Sequence, residues 1–225
     1  MLKIGSMPVG KGHRAIVQSA FFRDEEELVR YLEEEKLSAE KLYEIRYDLF
    51  GVRTKDGARK VVQELSRNDI PFIFTMRGSR RTALEYAELA SAAGAPAIDI
   101  DLSLLHTFRN AGSTVIVSLH AYDGFPAEDT ITRMFESSAE IVKVASTFRN
   151  FSDFLHRMYC LHEIRERYDK GFAFVPMGAN SSPLRALSLL ISDLVYAKFN
   201  RETARGQLIY EEYATLLEIL DSIRE

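Results

Sequence analysis

The 225-residue sequence contains one cysteine, Cys160, no tryptophan and six prolines. A single cysteine cannot form an internal disulfide, so a disulfide-stabilised small fold is excluded and a reducing, cytoplasmic location is expected. No uninterrupted apolar run approaches the ~20 residues that a membrane helix needs. Residues 1–12 also lack the continuous apolar segment of a signal peptide. We therefore expect no membrane partner.

The sequence also lacks an excess of positive charge. Its 29 Lys and Arg residues stand against 33 Asp and Glu residues, which gives a net charge of −4. This balance predicts no general attraction to nucleic acid. Hydrophobic residues make up 46% of the chain, enough for a sizeable buried core and too many for a disordered protein.

Short apolar or β-branched runs alternate with longer charged segments that have helical spacing. The predicted strands are Arg14–Ala20, Leu42–Asp48, Pro71–Arg77, Pro96–Leu102, Thr114–His120, Ile141–Ser146, Phe172–Pro176 and Ser192–Tyr196. The predicted helices include Glu25–Glu34, Ala58–Arg67, Thr82–Ala93, Asp129–Ser138, Phe151–Tyr168 and a last helix from about Gln207 to Ile223. This alternation with short links predicts right-handed βαβ units and a parallel sheet.

Eight such units favour an α/β fold with a single (β/α)8 TIM barrel over residues 1–225. A doubly wound open sheet is the competing fold. No Gly-x-Gly-x-x-Gly follows any predicted strand, so the phosphate-binding turn of a dinucleotide domain is missing. Several predicted strands also carry ionisable residues near their carboxyl ends. Those ends converge at the mouth of a barrel, where active sites lie.

Lys143 lies in the middle of the sixth predicted strand, between β-branched residues. A lysine is rarely buried without a functional reason. Desolvation and neighbouring cations are expected to lower its pKa, which would free the amine to attack a carbonyl carbon. The alternative is an edge-strand lysine whose ammonium reaches solvent, but a closed barrel has no edge strands.

Other ionisable residues follow the same strand-end pattern. Glu44, Arg46 and Asp48 are two residues apart and share one side of the second predicted strand, which faces the barrel interior. Burying three charges is costly unless they pair or serve a site, and one of them could be only an ion-pair partner. Arg77 ends the third predicted strand and His120 ends the fifth. His120 is a candidate proton shuttle, with a structural histidine as the alternative.

Two later segments complete the predicted mouth of the barrel. Pro183 and Arg185 open a helix after the seventh predicted strand, and Arg185 is positioned there to hold a carboxylate. Residues 199–207, after the eighth predicted strand, have the length and polarity of a lid that closes over a site. An ordinary exposed loop would show the same composition.

Taken in order along the chain, these segments resemble type I 3-dehydroquinate dehydratase, from Glu44 to Gln207. The similar segments are EIRYD at 44–48, FTMR at 74–77, IDIDL at 98–102, SLHAY at 118–122, AEIVKVA at 139–145, MG at 177–178 with Arg185 eight residues after Met177, and TARGQ at 203–207. No single segment is specific to the family. Their order and their placement at successive strand ends carry the resemblance.

The resemblance implies a chemistry. Lys143 would form an imine with the C3 ketone of 3-dehydroquinate, and His120 would remove the C2 proton and later protonate the departing C1 hydroxyl. Arg185 would hold the substrate carboxylate. The other implied substrate-binding residues are Glu44, Arg46, Arg77, Gln207 and Thr203. No metal or organic cofactor is implied, the partner is a small-molecule substrate, and a homodimer is compatible with the family.

The sequence also departs from the family pattern. Arg81 stands where a glutamate that assists the histidine is usual, and Arg205 stands where proline is usual. Either Asp99 or Asp101 could orient His120 in place of that glutamate. Two other functions stay open. One is another lysine-dependent class I aldolase-type barrel enzyme, which should bind phosphate near strands seven and eight. The other is a catalytically impaired homologue that binds a small acid.

Overall fold

The computed structural model describes residues 1–178 and 181–222. Its strands are β1 Leu2–Ile4, β2 Met7–Val9, β3 Ala15–Ala20, β4 Leu42–Arg46, β5 Phe72–Thr75, β6 Ala97–Asp101, β7 Thr114–Ala121, β8 Ile141–Ser146, β9 Gly171–Pro176 and β10 Leu194–Lys198. Its helices are α1 Glu25–Glu33, α2 Lys55–Arg67, α3 Arg80–Ala92, α4 Glu128–Glu136, α5 Phe151–Arg165, α6 Ser182–Ser188 and α7 Tyr210–Ser222. The predicted helix end at Ile223 lies outside the described residues.

Eight parallel strands form one sheet in the order β10-β3-β4-β5-β6-β7-β8-β9, and β9 lies beside β10, which closes the ring. Helices follow seven of the eight strands, and a 3₁₀ turn at Leu102–Leu104 takes the place of a helix between β6 and β7. The predicted (β/α)8 barrel is therefore confirmed. Within the described residues, no helix is both long and apolar enough to cross a membrane.

Two helices begin three and two residues before their predicted starts, because each has a side-chain cap. The Thr54 hydroxyl accepts a hydrogen bond from the Gly57 N–H at 2.9 Å at the start of α2. The Ser79 hydroxyl accepts one from the Thr82 N–H at 3.3 Å at the start of α3. Such caps satisfy backbone donors that the first helical turn leaves unpaired. Ala58, Val61, Val62 and Leu65 then bury one face of α2.

The second barrel strand is shorter than predicted. It ends at Arg46, and Tyr47–Leu49 forms a 3₁₀ turn. The prediction that Asp48 shares the interior face of this strand is therefore wrong. Asp48 instead accepts two hydrogen bonds from Arg46, at 2.9 and 2.7 Å. It is the ion-pair partner of an arginine that lies at the barrel mouth.

The lower half of the barrel interior is apolar, with residues from every barrel strand. These are Val17, Leu42, Ile73, Ala97, Ile116, Ile141, Ala173 and Leu194. The antiparallel hairpin β1–β2 covers this end through Ile4 and Val9, which are 0% and 1% exposed. The sequence prediction contained no element before residue 14 and missed this hairpin, because three-residue strands are too short to show an alternating pattern.

Between β9 and β10, side-chain acceptors replace some of the backbone carbonyls that usually accept hydrogen bonds between parallel strands. The Asp193 N–H donates to the Phe172 carbonyl at 2.8 Å, and the Phe172 N–H donates back to the Asp193 carboxylate at 2.9 Å. The Phe174 N–H donates to the Ser192 hydroxyl at 3.0 Å. These two side-chain contacts explain why β10 begins at Leu194 and not at Ser192 as predicted. The Arg165 guanidinium holds the same carboxylate in an ion pair of 2.6 Å.

This closure predicts a large stability cost for Asp193→Ala. The substitution leaves the buried Arg165 cation unpaired and removes the acceptor for Phe172, so we expect the free energy of unfolding to fall by about 3–5 kcal/mol. Urea denaturation followed by circular dichroism measures it. The matched control is Asp56→Ala, which removes the exposed pair with Arg59 and should cost less than about 1 kcal/mol. Equal losses in the two variants would contradict this account of the closure.

Candidate active site

A cavity of about 280 Å³ lies at the carboxyl ends of the barrel strands. All eight side chains predicted from the sequence to form the site line it: Lys143, His120, Glu44, Arg46, Arg77, Arg185, Gln207 and Thr203. Parallel strands bring these residues to one end of the barrel although they are separated by up to 163 positions in the chain. The cavity therefore holds an amine, an imidazole, a carboxylate and three guanidinium groups.

Lys143 is held between two carboxylates. It lies in the middle of β8 and is 4% exposed. Its Nζ is 3.0 Å from Glu44 Oε1 and 2.9 Å from Asp99 Oδ2. Burial alone would lower the pKa of Lys143, but the attraction of Asp99 and Glu44 is stronger, so its pKa lies above the usual lysine value. The predicted lowering of this pKa is therefore wrong, because the nearest charges are anions.

Hydroxyl groups donate further hydrogen bonds to both carboxylates. Glu44 accepts hydrogen bonds from Ser19 at 2.7 Å and Thr75 at 3.1 Å. Asp99 accepts from Ser118 at 2.7 Å and from Arg77 at 2.8 Å. Sequence reasoning missed the three hydroxyl residues. The signal was their strand position, since Ser19 pairs in register with Glu44, Ser118 with Lys143 and Thr75 with Asp99.

Asp99 and Asp101 have different roles, but among the residues that the structure describes neither makes a hydrogen bond to His120, so which of them orients that residue stays a prediction. Burial raises the pKa of Asp99, but Arg77 and Lys143 outweigh it and hold that pKa below its usual range. The Asp101 carboxylate instead accepts the Ser103 N–H at 2.9 Å and caps the 3₁₀ turn. Asp99 is thus the carboxylate that acts on the site.

His120 lies near the end of β7, two residues beyond Ser118, and its ring stacks on Tyr122 with the centroids 6.4 Å apart. Burial, and then the nearby cations Arg77 and Lys143, lower the pKa of His120 to about 3. The imidazole is therefore neutral at pH 7 and able to accept a proton. No side chain in the described part of the chain donates to or accepts from this ring. Arg81, at the position of the expected glutamate, is exposed on α3.

Arg185 lies on α6, is 2% exposed and reaches the cavity. Its Nε donates weakly to the Ser181 hydroxyl at 3.4 Å, and its Nη2 is buried with no hydrogen-bond partner in the described part of the chain. Burial lowers the pKa of Arg185 and raises the pKa of the neighbouring Tyr213 to about 12. A buried guanidinium without a carboxylate is costly, so this group is poised to receive an anion.

The segment after β10 packs over the cavity and against α6. The Gln207 side-chain carbonyl accepts hydrogen bonds from Thr203 N–H and Oγ1, both at 2.9 Å, and from Ala204 N–H at 3.0 Å. The Ser181 and Ser182 hydroxyls donate to the carbonyls of residues 205 and 206 at 3.2 Å. Gly206 has φ +75°, and a Cβ there would lie 2.5 Å from the Ser181 hydroxyl. Glycine is therefore required for this close approach.

The environment of His120 predicts a characteristic pH dependence. Its pKa is 6.5 in an unperturbed chain and about 3 in the folded protein, so between these values the unfolded state binds more protons than the folded state. Stability must then fall as the pH falls through this window. Relative to His120→Asn, the wild type should lose unfolding free energy between pH 6.5 and pH 4, measured by urea denaturation.

The control for this experiment is His106→Asn, at an exposed position. An NMR titration of the imidazole signals provides an independent reading. A His120 signal that titrates close to pH 6.5, or a stability difference that does not vary with pH, would contradict the proposed effect of burial and the two cations.

Comparison with known proteins shows the family and the fold of the chain. Residues 19–224 match the sequence model of the type I 3-dehydroquinase family. The chain is 34% identical to the 3-dehydroquinate dehydratases of Thermoplasma volcanium and Thermoplasma acidophilum over 209 residues, 92% of this chain and 89% and 90% of theirs. The crystal structure of 3-dehydroquinate dehydratase from Geobacillus kaustophilus superposes with a TM-score of 0.83 at 22% identity, covering 98% of this chain and 96% of that one. The chain belongs to the type I 3-dehydroquinase family of lyases.

Proposed function

We propose that this protein converts 3-dehydroquinate to 3-dehydroshikimate and water through an imine on Lys143. The observation that carries the proposal is a buried lysine held by two carboxylates. The same cavity contains a neutral histidine and a buried arginine whose Nη2 has no hydrogen-bond partner in the described part of the chain. These groups supply a nucleophile, a base and an anion-binding site. The whole chain acts as one catalytic domain in this proposal, in the cytoplasm and in the shikimate pathway.

Imine formation begins from the ammonium form of Lys143. One proton passes from Nζ to Glu44 or Asp99, which lie within hydrogen-bond distance, and the free amine attacks the C3 ketone carbon. The resulting carbinolamine takes back that proton and loses water. In total, an ammonium and a ketone give an iminium and water, so the charge at the nitrogen is positive before and after the step.

His120 then acts as the proton shuttle. The iminium withdraws electrons from the neighbouring C2–H bond, and the neutral imidazole takes that proton to give an enamine. The protonated His120 returns the proton to the C1 hydroxyl, which leaves as water while the double bond forms and the iminium is restored. Hydrolysis of the iminium releases 3-dehydroshikimate. The low pKa of His120, about 3, keeps the base unprotonated between turnovers.

The remaining cavity residues bind and orient the substrate in this proposal. Arg185 receives the carboxylate, since its Nη2 has no other partner in the described part of the chain. Arg46, fixed by Asp48, and Arg77, fixed by Asp99, face the ring hydroxyls together with Glu44. Thr203 and Gln207 cover the substrate from the segment after β10. No step uses a metal or organic cofactor, and the homodimer stays a prediction.

The proposed imine predicts a covalent adduct. The protein incubated with 3-dehydroquinate and sodium borohydride should carry the reduced substrate on Lys143, because borohydride converts the iminium to a stable amine. Mass spectrometry of the digested protein locates the adduct. Lys143→Ala and the charge-retaining Lys143→Arg should give neither adduct nor product.

Three other outcomes distinguish the alternatives. His120→Ala should lower kcat by about 10²–10⁴-fold and still form the adduct, since the histidine acts after the imine. A fully active Lys143→Ala would contradict the mechanism. Binding of 3-dehydroquinate to the wild type with neither adduct nor product would favour the binding-only homologue. An adduct followed by carbon–carbon cleavage instead of dehydration would favour the aldolase-type enzyme.

The proposed carboxylate site gives a prediction for Arg185. Arg185→Gln removes the cation that faces the substrate carboxylate, and we expect kcat/KM to fall by about 30-fold or more, equivalent to about 2 kcal/mol or more. Steady-state kinetics measures it, with the exposed Arg133→Gln as the matched control. An unchanged kcat/KM for Arg185→Gln would place the carboxylate elsewhere in the cavity.

A further inference from the structure

Strand β10 places an aromatic ring against the reactive nitrogen. Tyr196 is 3% exposed, packs with the apolar residues of the lower barrel and lines the cavity. The Nζ of Lys143 lies 3.7 Å from the centroid of its ring. The ring therefore separates the apolar half of the barrel from the ionic site. The imine chemistry proposed above does not involve the ring of Tyr196.

The contact completes the surroundings of the ammonium group. An ammonium has three N–H donors. Two of them reach Glu44 and Asp99, at 3.0 and 2.9 Å. The ring of Tyr196 presents its electron-rich face to the same nitrogen, and a cation over such a face is attracted electrostatically. Because the nitrogen is almost fully buried, water does not weaken this attraction.

The ring has a particular advantage once an imine forms. The iminium nitrogen keeps one N–H, so it can donate to only one of the two carboxylates that the ammonium served. Its positive charge remains. Attraction to the ring depends on that charge and not on the number of N–H donors. The carbinolamine that precedes the iminium is neutral at nitrogen, so attraction to the ring favours its conversion to the iminium, a step in which hydrogen bonds to the carboxylates are lost.

We propose that the ring face of Tyr196 stabilises the positively charged nitrogen of Lys143 through imine formation, which makes Tyr196 a further catalytic residue. This inference rests on the imine mechanism proposed above. The aromatic face carries the effect, since the buried phenolic hydroxyl has no hydrogen-bond partner within the described residues. Burial raises the pKa of Tyr196, so the ring is neutral at pH 7.

Two substitutions separate the ring from the hydroxyl. Tyr196→Phe keeps the ring, and we expect imine trapping by borohydride and kcat to be clearly faster than in a variant that lacks the ring. Tyr196→Leu removes it, and both rates should fall by about 30-fold, the factor that corresponds to about 2 kcal/mol for a desolvated cation–ring contact. KM should change less than kcat, because the ring acts on the lysine nitrogen. Equal loss in the two variants, or no loss in Tyr196→Leu, would overturn the proposal.

Tyr196→Leu could lose activity because it folds poorly, so a second set of variants changes the ring electronically while keeping its shape. Phenylalanine and its mono-, di- and trifluorinated analogues incorporated at position 196 have nearly the same shape, but each fluorine withdraws electrons from the ring face. The rate of imine trapping should fall stepwise with fluorine number while the melting temperature stays nearly constant. A purely structural role predicts one rate for the whole series and would overturn the inference.

A measurement without substrate separates this inference from the proposed function. NMR titration of the Lys143 side chain in the free protein should show a lower pKa with trifluorophenylalanine than with phenylalanine at position 196. If the wild type forms no adduct with 3-dehydroquinate, the imine mechanism fails whether or not this titration shows a difference. If the adduct forms but the titration and the trapping rates do not depend on fluorination, only the role of Tyr196 fails.

Discussion

The rest of the site depends on one positive charge, the ammonium of Lys143, held inside the barrel by Glu44 and Asp99. Burying any of these charges alone would cost several kcal/mol, so the three are stable only together. Hydroxyl groups on β3, β5 and β7 satisfy the remaining carboxylate oxygens. The interaction thereby connects β3, β4, β5, β6, β7 and β8 in the centre of the barrel.

The same interaction explains how a lysine with a raised pKa could serve the proposed imine mechanism. The two carboxylates hold a cation at rest, and the iminium that would replace it in that proposal is also a cation. The site therefore needs no neutral amine at equilibrium, only a brief transfer of one proton to an adjacent carboxylate. His120 is affected in the opposite direction, because burial and the surrounding cations keep it neutral. Lys143 and His120 lie on neighbouring strands, offset by two positions in the register. Their surroundings keep the amine protonated and the imidazole neutral.

The sequence predicted the barrel and the strand-end cavity residues because both depend on local patterns, whereas Thr203 and Gln207 were implied by the family resemblance. Alternation of apolar runs and amphipathic segments predicts parallel strands, and polar residues at the carboxyl ends of parallel strands meet at one mouth. Features with weak local patterns were missed. The hairpin β1–β2 is too short for periodicity, the 3₁₀ turn that removes Asp48 from β4 follows a continuous strand pattern, and the side-chain pairing of Ser192 and Asp193 depends on β9.

The sequence by itself determined which chemical groups the barrel strands and the segments after them carry: an amine at 143, an imidazole at 120 and an arginine at 185. The tertiary structure alone decided their charge states and partners. Lys143 meets Glu44 and Asp99 across separations of 99 and 44 residues, and it meets Tyr196 of β10, which lies on the other side of β9. Electrostatic energy depends on distances and burial in three dimensions, and a linear sequence contains neither.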